Sequence, residues 1–380
     1  MTTTKRPMEG VRILDLAGIS GANGTRLLGA LGAEVIVAEP PSGHTMRSWG
    51  PFVPGSAAPE GSLWWAYFAQ GKKSVVVADL DALRALAATC DVVVEDAGVG
   101  VLDEVAASMG PEVIWISVTP FGRTGPRAHW RGSELVGWAS SGLLHTFGFP
   151  DRPPVMPATP IQFGQHVIAL DVALSAQLAL RVRRRTGRGQ RVDLSLQESL
   201  LFVGPETGAP LFLDDLVPRS RPGNRRAVSR PFGLYPCADG FVSVVVLQPA
   251  HWRAMAEWIR DVTGEDSLLE EAFFDIAVRW EAAEFVDAMT EAVTMSMSKL
   301  DLFIEGQRRN IPITPVNTVA DLRSDPHLQA AGFWRTHEVH GTDGVVGPGA
   351  PFRVSADWWS FSRAPLLGEH TEAVLGPLRG

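Results

Sequence analysis

The chain has 380 residues, of which 45% are apolar and 20% are charged, and its net charge is −8. A length above about 250–300 residues indicates two domains, and the composition is that of a soluble globular protein. The acidic balance argues against nucleic-acid binding, which needs a basic surface. The two cysteines and nine histidines show no disulfide or metal-ligand spacing. With no signal peptide and no membrane span of about 18 apolar residues, we expect a cytoplasmic protein without a metal.

The N-terminal half alternates between buried strands and helices. Strands joined by helical connections must be parallel, which predicts an α/β fold with a doubly wound parallel sheet. The stretch GISGANG (18–24) is interpreted as a turn, and it does not match the G-x-G-x-x-G dinucleotide fingerprint, although Glu39 lies where a ribose-binding acid could stand. Ligands of such sheets bind beyond the carboxyl ends of the strands. The predicted strands are 11–18, 34–39, 72–80, 90–96 and 111–122, and the helices between them are 25–33, 81–89 and 100–110.

Two long helical patterns follow, at 132–148 and 159–190, and the stretch VDLSLQESLLFV (192–203) comes after them. The second ends in the basic run RVRRRTGRGQR (181–191). Cations are favourable at a helix C-terminus, and glycine commonly ends a helix there. This run therefore predicts a cationic helix end with a glycine cap rather than a nucleic-acid patch.

The sequence changes character near residue 221. Turn-rich, hairpin-like strands at 221–248 precede helices at 250–306, whose Trp252, Trp258 and Trp280 are predicted to be core residues. The C-terminal part returns to the first region. The predicted domains are a large domain of residues 1–203 and 335–380 and a smaller α+β domain of residues 221–334, with a linker at 204–220.

Several motifs, in order along nearly the whole chain, carry a family resemblance. They include MEGVRILDL (8–16), ISVTPFGRTGP (116–126), RTGRGQRVDLSL (185–196) and NIPITPVNTVADLRSDPHLQAAGFW (310–334). The sequence resembles class III CoA-transferases, the family of formyl-CoA transferase, carnitine CoA-transferase and the methylacyl-CoA racemases. The resemblance implies a Rossmann-like large domain, an interlocked dimer and a coenzyme A thioester as substrate, with no covalently bound cofactor.

The resemblance also implies the position of a nucleophile. Transferases of the family use an aspartate that attacks an acyl-CoA thioester, about 21 residues before the threonine of the TGxGQ turn. That threonine is Thr186, so Gln165 stands in the position of the aspartate. A carboxamide has no anionic oxygen with which to form an acyl anhydride. Asp171 is the nearest carboxylate in sequence, but six residues of α-helix turn it by about 240° from Gln165. We interpret Asp171 as a structural residue, or as a nucleophile if the alignment is shifted.

Other family positions differ as well. The racemases use titratable groups at positions that match Ser133 or Glu134, Gln165 and Gln248, which makes racemase chemistry improbable here. In many relatives a cation that helps to hold CoA phosphates stands where this chain has Val37. The loop that faces CoA carries Asp96, which would repel a phosphate. The candidate CoA-binding cations that are retained are Arg47, Lys72 and Lys73, and the alternative for each is a solvated surface or a strand edge.

Three functions remain open from the sequence. The first is a CoA-transferase acting on a carboxylic acid and an acyl-CoA, with an altered catalytic carboxylate or with lyase or isomerase chemistry. The second is a subunit without its own nucleophile, in a heterodimer with a paralogous chain instead of a homodimer. The third is recruitment of the fold to a ligand other than CoA. Transfer of CoA is the function we expect, with the catalytic residue altered or supplied by a partner.

Overall fold

The computed structural model describes residues 5–56, 59–155, 162–204, 221, 223–225 and 229–378. The chain divides into two compact units. The first contains residues 1–144, 156–217 and 332–380, and the second contains residues 145–155 and 218–331. Apart from Gly204, the predicted linker at 204–220 lies outside the described residues.

A six-stranded sheet forms the centre of the first unit. Its order is β3-β2-β1-β4-β5-β6, and every neighbouring pair is parallel. The prediction of a doubly wound α/β sheet is confirmed. The strands are β1 Arg12–Leu16, β2 Glu34–Glu39, β3 Lys73–Val76, β4 Val92–Glu95, β5 Ile114–Thr119 and β6 Arg191–Ser195.

Helices cover both faces of this sheet. One apolar layer joins β1, β4 and β5 to α1 and α6, and another joins the opposite sheet face to α3, α4 and α14. The helices of the first unit are α1 Ile19–Ala30, α2 Leu63–Phe68, α3 Leu80–Ala87, α4 Asp103–Ala107, α5 Glu134–Ser140, α6 Phe163–Thr186, α7 Leu196–Val203 and α14 Thr371–Leu375. A hairpin of β10 Trp334–His337 and β11 Val345–Pro348 completes the unit.

The stretch predicted as a turn at 18–24 is mostly helix, because α1 begins at Ile19. The glycines of α1 allow close packing against neighbouring backbone and do not form a turn. A Cβ atom at Gly24 would lie 2.1 Å from the backbone oxygen of Ala169 on α6. A Cβ atom at Gly21 would lie 2.6 Å from the Cβ of Ala17. Glycine therefore lets α1 touch the backbone of α6 directly.

The stretch at 192–203, which the sequence left unassigned, contains the end of a strand and a helix. Residues 191–195 form β6, which pairs with β5 from Arg191 opposite Trp115 to Ser195 opposite Thr119. Val192 and Leu194 pack against the core with the two-residue period of a strand. The helix α7 starts only after Ser195, whose side chain accepts a hydrogen bond from the backbone N–H of Glu198.

The single helix predicted at 132–148 is shorter than expected. Its helical part, α5, ends at Ser140, and Gly142 follows with a φ of 82°. This left-handed conformation suits glycine and interrupts the helix.

Helix α6 confirms that the basic run is a cationic helix end with a glycine cap. It ends at Thr186 with Arg183, Arg184 and Arg185 in its last turn, and Gly187 caps it with a φ of 72°. By length and composition alone α6 could cross a membrane, a test that core helices of soluble proteins also pass. One face of α6 lies in the core of the first unit.

The second unit has its own core. Its antiparallel sheet consists of β7 Phe232–Cys237, β8 Gly240–Val245 and β9 Ile313–Pro315 in that order. Trp252 and Trp258 are buried as predicted, but the prediction for Trp280 is wrong, since it is 43% exposed and lies beneath the Arg230 guanidinium. The helices are α8 Pro249–Thr263, α9 Ile276–Glu281, α10 Ala283–Thr294, α11 Lys299–Arg308, α12 Val319–Ser324 and α13 Pro326–Ala330.

The contact between α1 and α6 can be tested at Gly24. We expect Gly24→Ala to lower the free energy of unfolding by about 2–3 kcal/mol, because the new methyl group overlaps a backbone oxygen that cannot rotate away. Gly29→Ala on the same helix is the control. Its Cβ would meet only a Val35 methyl group at 3.2 Å, and alanine favours helix by about 0.8–1 kcal/mol. Urea denaturation measures both variants, and equal stabilities would contradict the backbone contact.

Candidate active site

The first turn of α6 brings two of the predicted site residues together. Glu134, at the start of α5, accepts hydrogen bonds from the backbone N–H of Gly164 at 2.7 Å and from that of Gln165 at 3.0 Å. The indole N–H of Trp138 donates to the same carboxylate at 2.8 Å. An anion is favourable here, because helix N-termini carry unpaired N–H groups and a partial positive charge. Glu134 thus caps α6 in place of the missing side-chain cap of Gln162.

This arrangement limits what the site can do by itself. Gln165 is half-buried and offers a neutral carboxamide. The carboxylate that reaches the turn belongs to Glu134, and three N–H donors stabilise its charge. Hydrogen bonds to the charged form lower the reactivity of a carboxylate because they must be weakened when it forms a bond. The geometry therefore gives Glu134 a positioning role on α6.

Aromatic rings flank the same turn. The His166 ring stacks on Phe68 with 5.3 Å between ring centres, and Phe68 stacks on Trp64 at 5.6 Å. Trp49 meets Trp64 edge-on at 5.6 Å. Sequence reasoning did not find this cluster, although the apolar helix LWWAYF (63–68) was its signal. An apolar wall beside the first turn of α6 would limit the access of water.

The remaining candidates near α5 and α6 are more isolated. Asp171 is half-buried on α6, and no hydrogen bond or ion pair joins it to the described part of the chain. Ser133 is exposed at the N-cap of α5, without a side-chain cap. Gln248 is exposed at the N-cap of α8 in the second unit. The roles predicted for these residues stay predictions.

Arg47 lies inside the first unit rather than on a solvated surface. Its side chain is 2% exposed and binds both carboxylate oxygens of Glu39, through Nε at 2.7 Å and Nη2 at 2.9 Å. A third nitrogen binds Glu60 at 2.9 Å, and the guanidinium lies 3.8 Å from the ring centre of Trp65. In this conformation the charge of Arg47 is neutralised within the chain.

Lys72 is buried in a similar way. Its ammonium group donates to Asp15 at 2.8 Å, to Thr25 at 2.8 Å and to the backbone oxygen of Ala22 at 3.0 Å. Burial lowers the pKa of Lys72, and the charge of Asp15 opposes this shift. Lys73, one residue later, is half-buried at the edge of the sheet, and its side chain, 41% exposed, pairs with Glu34 at 2.5 Å. The surface alternative is therefore wrong for Arg47 and Lys72, and the edge position holds for Lys73.

Asp15 was not among the predicted site residues. Its signal in the sequence is a carboxylate in the middle of the mostly apolar strand predicted at 11–18. A buried carboxylate needs a cation or several donors. Lys72, Thr25 and the backbone N–H of Ala17 supply them.

Asp96 follows β4 and reaches the loop between β1 and α1. Its carboxylate accepts hydrogen bonds from the backbone N–H of Gly18 at 2.8 Å and from the Ser20 hydroxyl at 2.6 Å. Burial of the carboxylate raises the pKa of Asp96, and these two hydrogen bonds oppose the shift. Asp96 as a whole residue is nevertheless exposed to solvent. Asp96 thus stands where the sequence predicted a ligand-facing loop.

A cavity of about 320 Å³ opens at the carboxyl ends of β1, β2 and β3. The charged residues of its lining are Glu39 and Asp79, which are both acidic. Val37, in the position of the family's phosphate-binding cation, is buried against the cluster that contains Met46 and Trp65. The lining of this cavity therefore provides no cation for a phosphate.

Fold and site together define a doubly wound α/β protein with its candidate centre at the first turn of α6. Residues 8–371 match the model of CoA-transferase family III. The chain is 31% identical to the succinyl-CoA:(R)-benzylsuccinate CoA-transferase subunit BbsE of Thauera aromatica, over 96% of this chain and 92% of that protein. It is 28% identical to the alpha subunit of succinyl-CoA–L-malate CoA-transferase of Chloroflexus aurantiacus, over 98% and 89% of the two chains.

Solved structures agree with these sequence matches. A CAIB/BAIF family protein from Brucella suis superposes with a TM-score of 0.85 and 28% identity, over 99% of this chain and 100% of that chain. Rv3272 from M. tuberculosis has the same fold, with a TM-score of 0.81 and 22% identity over 97% and 99% of the chains. The chain belongs to CoA-transferase family III, which confirms the resemblance seen in the sequence. Its family function is CoA transfer between acyl-CoA thioesters and carboxylic acids.

The buried pair of Lys72 and Asp15 provides a test of the role of Lys72. We expect Lys72→Met to lower the free energy of unfolding by about 3–5 kcal/mol, because it leaves the Asp15 charge buried and unpaired. Lys72→Met/Asp15→Asn should recover most of this loss. Lys73→Met is the control and should change stability by less than about 1 kcal/mol, as an exposed pair does.

Urea denaturation gives the three stabilities, and calorimetric titration gives CoA affinity. Unchanged stability of Lys72→Met together with weaker CoA binding would contradict the structural role and support a phosphate-binding one.

Proposed function

We propose that this chain is the subunit without an acyl-accepting carboxylate in a two-chain CoA-transferase. The partner is a paralogous chain with aspartate in the register of Gln165. The observation that carries the proposal is the first turn of α6, where a carboxamide occupies the family position of the nucleophile. The Glu134 carboxylate at that turn is engaged by three N–H donors.

The chemistry requires an anionic oxygen at this place. The partner's aspartate would attack the thioester carbon of the donor acyl-CoA and release the CoA thiolate, which leaves an acyl–aspartyl anhydride. The thiolate would then attack the aspartyl carbon and release the donor acid, which leaves an aspartyl-CoA thioester. The acceptor carboxylate would attack the aspartyl thioester carbon and release the CoA thiolate, which leaves a second anhydride. Attack of this thiolate on the acceptor acyl carbon would yield the new acyl-CoA and return the aspartate carboxylate. The uncharged amide of Gln165 cannot begin this sequence.

The relatives support a chain of this kind. Two of the similar proteins are named as subunits, BbsE and an alpha subunit, and both names give succinyl-CoA as a substrate. We infer that the donor is succinyl-CoA and that the acceptor is a second carboxylic acid. Action in the cytoplasm, without nucleic acid or membrane, stays a prediction.

The exposed side of α6 supports a second chain as partner. It carries an apolar stripe at four-residue spacing, formed by Leu170, Leu174, Leu178 and Val182, each more than 40% exposed. Residues four apart lie on one face of a helix. Burial of one leucine side chain contributes about 1.5–3 kcal/mol, so this stripe favours association. A paralogous chain of the same fold, in an interlocked dimer, would cover it.

A second candidate is a self-sufficient homodimeric transferase in which Glu134 accepts the acyl group. Its support is the position of the Glu134 carboxylate at the first turn of α6. The two candidates differ in the residue that carries the acyl adduct.

Adduct mapping distinguishes them. The chain purified alone and incubated with succinyl-CoA should form no hydroxylamine-sensitive adduct, because Gln165 cannot form an anhydride. Co-expressed with its paralogue, the pair should yield an adduct on the partner's aspartate, as peptide mass spectrometry would show. An adduct on Glu134 or Asp171 of the isolated chain, lost in Glu134→Gln or Asp171→Asn, would refute the subunit role.

The apolar stripe gives a test of association. Leu174→Asp should separate the co-expressed pair and abolish CoA transfer, because it places a charge within the apolar contact. Leu300→Asp, at an exposed leucine of α11 in the second unit, is the matched control and should leave the pair intact. Analytical ultracentrifugation measures the species. A pair that survives Leu174→Asp would contradict the proposed role of α6.

A further inference from the structure

Helix α9 buries its arginine and exposes the aromatic residue that follows it. Arg279 is 1% exposed, whereas Trp280 is 43% exposed. We propose that the Arg279 guanidinium and the indole N–H of Trp252 form a binding site for a small monovalent anion in the core of the second unit. The site does not depend on which residue accepts the acyl group.

The donors of this site have no acceptor in the described part of the chain. Nε and Nη1 of Arg279 and Nε1 of Trp252 are buried, and none of the three makes a hydrogen bond to a described residue. No ion pair joins Arg279 to a described carboxylate. Buried polar groups are nearly always hydrogen-bonded, so three buried donors without acceptors indicate a ligand.

The three donors lie side by side. The guanidinium carbon of Arg279 is 4.6 Å from the ring centre of Trp252, which is 0% exposed. The ring of Phe273 stacks on Trp252 with 6.4 Å between ring centres. A ring face attracts a cation, but it does not replace the acceptors that the N–H groups need. One anion beside the guanidinium and the indole edge would serve all three donors.

The charge of Arg279 is not neutralised by the acidic residue of its own helix. Asp275, the N-cap of α9, is exposed, and its carboxylate accepts the backbone N–H of Ala277 at 2.8 Å. Burial lowers the pKa of Arg279, and the charge of Asp275 opposes this shift only in part. Because arginine stays protonated in proteins, the core contains a positive charge that an anion would neutralise.

The surroundings select the kind of anion. The three donor nitrogens are shielded from solvent, so an ion held against them must be small enough to fit within the core. One guanidinium carries one positive charge, which a monovalent ion balances. Chloride, or the carboxylate of formate, has the size, charge and acceptor capacity that the site requires.

Hydrogen exchange of α8 in the full chain tests the inference. Chloride replaces gluconate, a bulkier monovalent anion, at constant ionic strength. Above the dissociation constant, the protection of α8 amides that exchange through opening of the second unit should rise about tenfold for each tenfold rise in chloride. This slope is expected because only the folded site binds the ion.

Three variants distinguish the site from a general effect of salt. Arg279→Met should abolish the chloride dependence and, in gluconate alone, protect α8 at least as well as the unaltered chain, because an unpaired buried charge is removed. Arg253→Met is the matched control, since this exposed arginine of α8 lies 4.9 Å from the ring centre of Phe274, and it should keep the dependence. Trp252→Phe keeps a ring beside the guanidinium but removes the indole N–H, so it should weaken chloride binding about tenfold.

Formate in place of chloride shows whether a carboxylate also fits, and protection by either ion supports the site. Equal responses of the unaltered chain and Arg279→Met to both ions would overturn it. If Arg279→Met does not fold, crystals of the unaltered chain grown in bromide decide the question. The anomalous signal of bromide is expected within hydrogen-bond distance of the Arg279 guanidinium, and its absence there would refute the inference.

Discussion

The backbone contact between α1 and α6 is the constraint on which the candidate centre depends. Gly24 lets α1 approach until a side chain would collide with the Ala169 oxygen, so the position of each helix along the other is fixed. Helix α1 begins at the loop that Asp96 caps, and α6 begins at the turn that Glu134 caps. A shift of either helix would misplace both helix ends. The glycines of this stretch therefore act on function through packing, since close-packed interiors transmit such shifts.

Charged side chains at the carboxyl edge of the sheet are neutralised within the chain. Buried pairs join Lys72 to Asp15 and Arg47 to Glu39, while Asp96 binds a helix terminus. Buried ion pairs add little net stability compared with apolar replacements, but an unpaired partner is costly. Neither partner of these pairs can therefore be removed or turned toward a ligand without a large loss of stability. A sheet edge of this kind preserves the fold of the family, while Lys72 and Arg47 are not free to bind a phosphate. That property fits a subunit that shapes a shared centre.

Much of the fold could be predicted from the sequence because alternating buried strands and helices allow few arrangements. The parallel sheet and the glycine cap at Gly187 followed from local patterns. Strand β6 was not predicted because it is only five residues long and runs directly into α7. The glycines of α1 were misread because the reason for them lies on α6, more than a hundred residues away. The importance of Gln165 could be inferred from the family, but the cap by Glu134 depends on tertiary contacts.

The contacts of Glu134 with the first turn of α6 explain why a carboxamide at residue 165 is favourable for the fold. Glu134 already places one negative charge at the first turn of α6, 3.0 Å from the backbone nitrogen of Gln165. A second carboxylate close to the first would repel it, and one of the two would be held less readily in its charged form. An amide avoids this conflict, and Glu134 still accepts hydrogen bonds from the backbone N–H groups of Gly164 and Gln165. Active sites often keep such strained charge because catalysis needs it, at the expense of stability. In the proposed two-chain enzyme the partner would supply the nucleophile, so this chain would not need a second charge at the turn, and the amide of Gln165 would favour its folding.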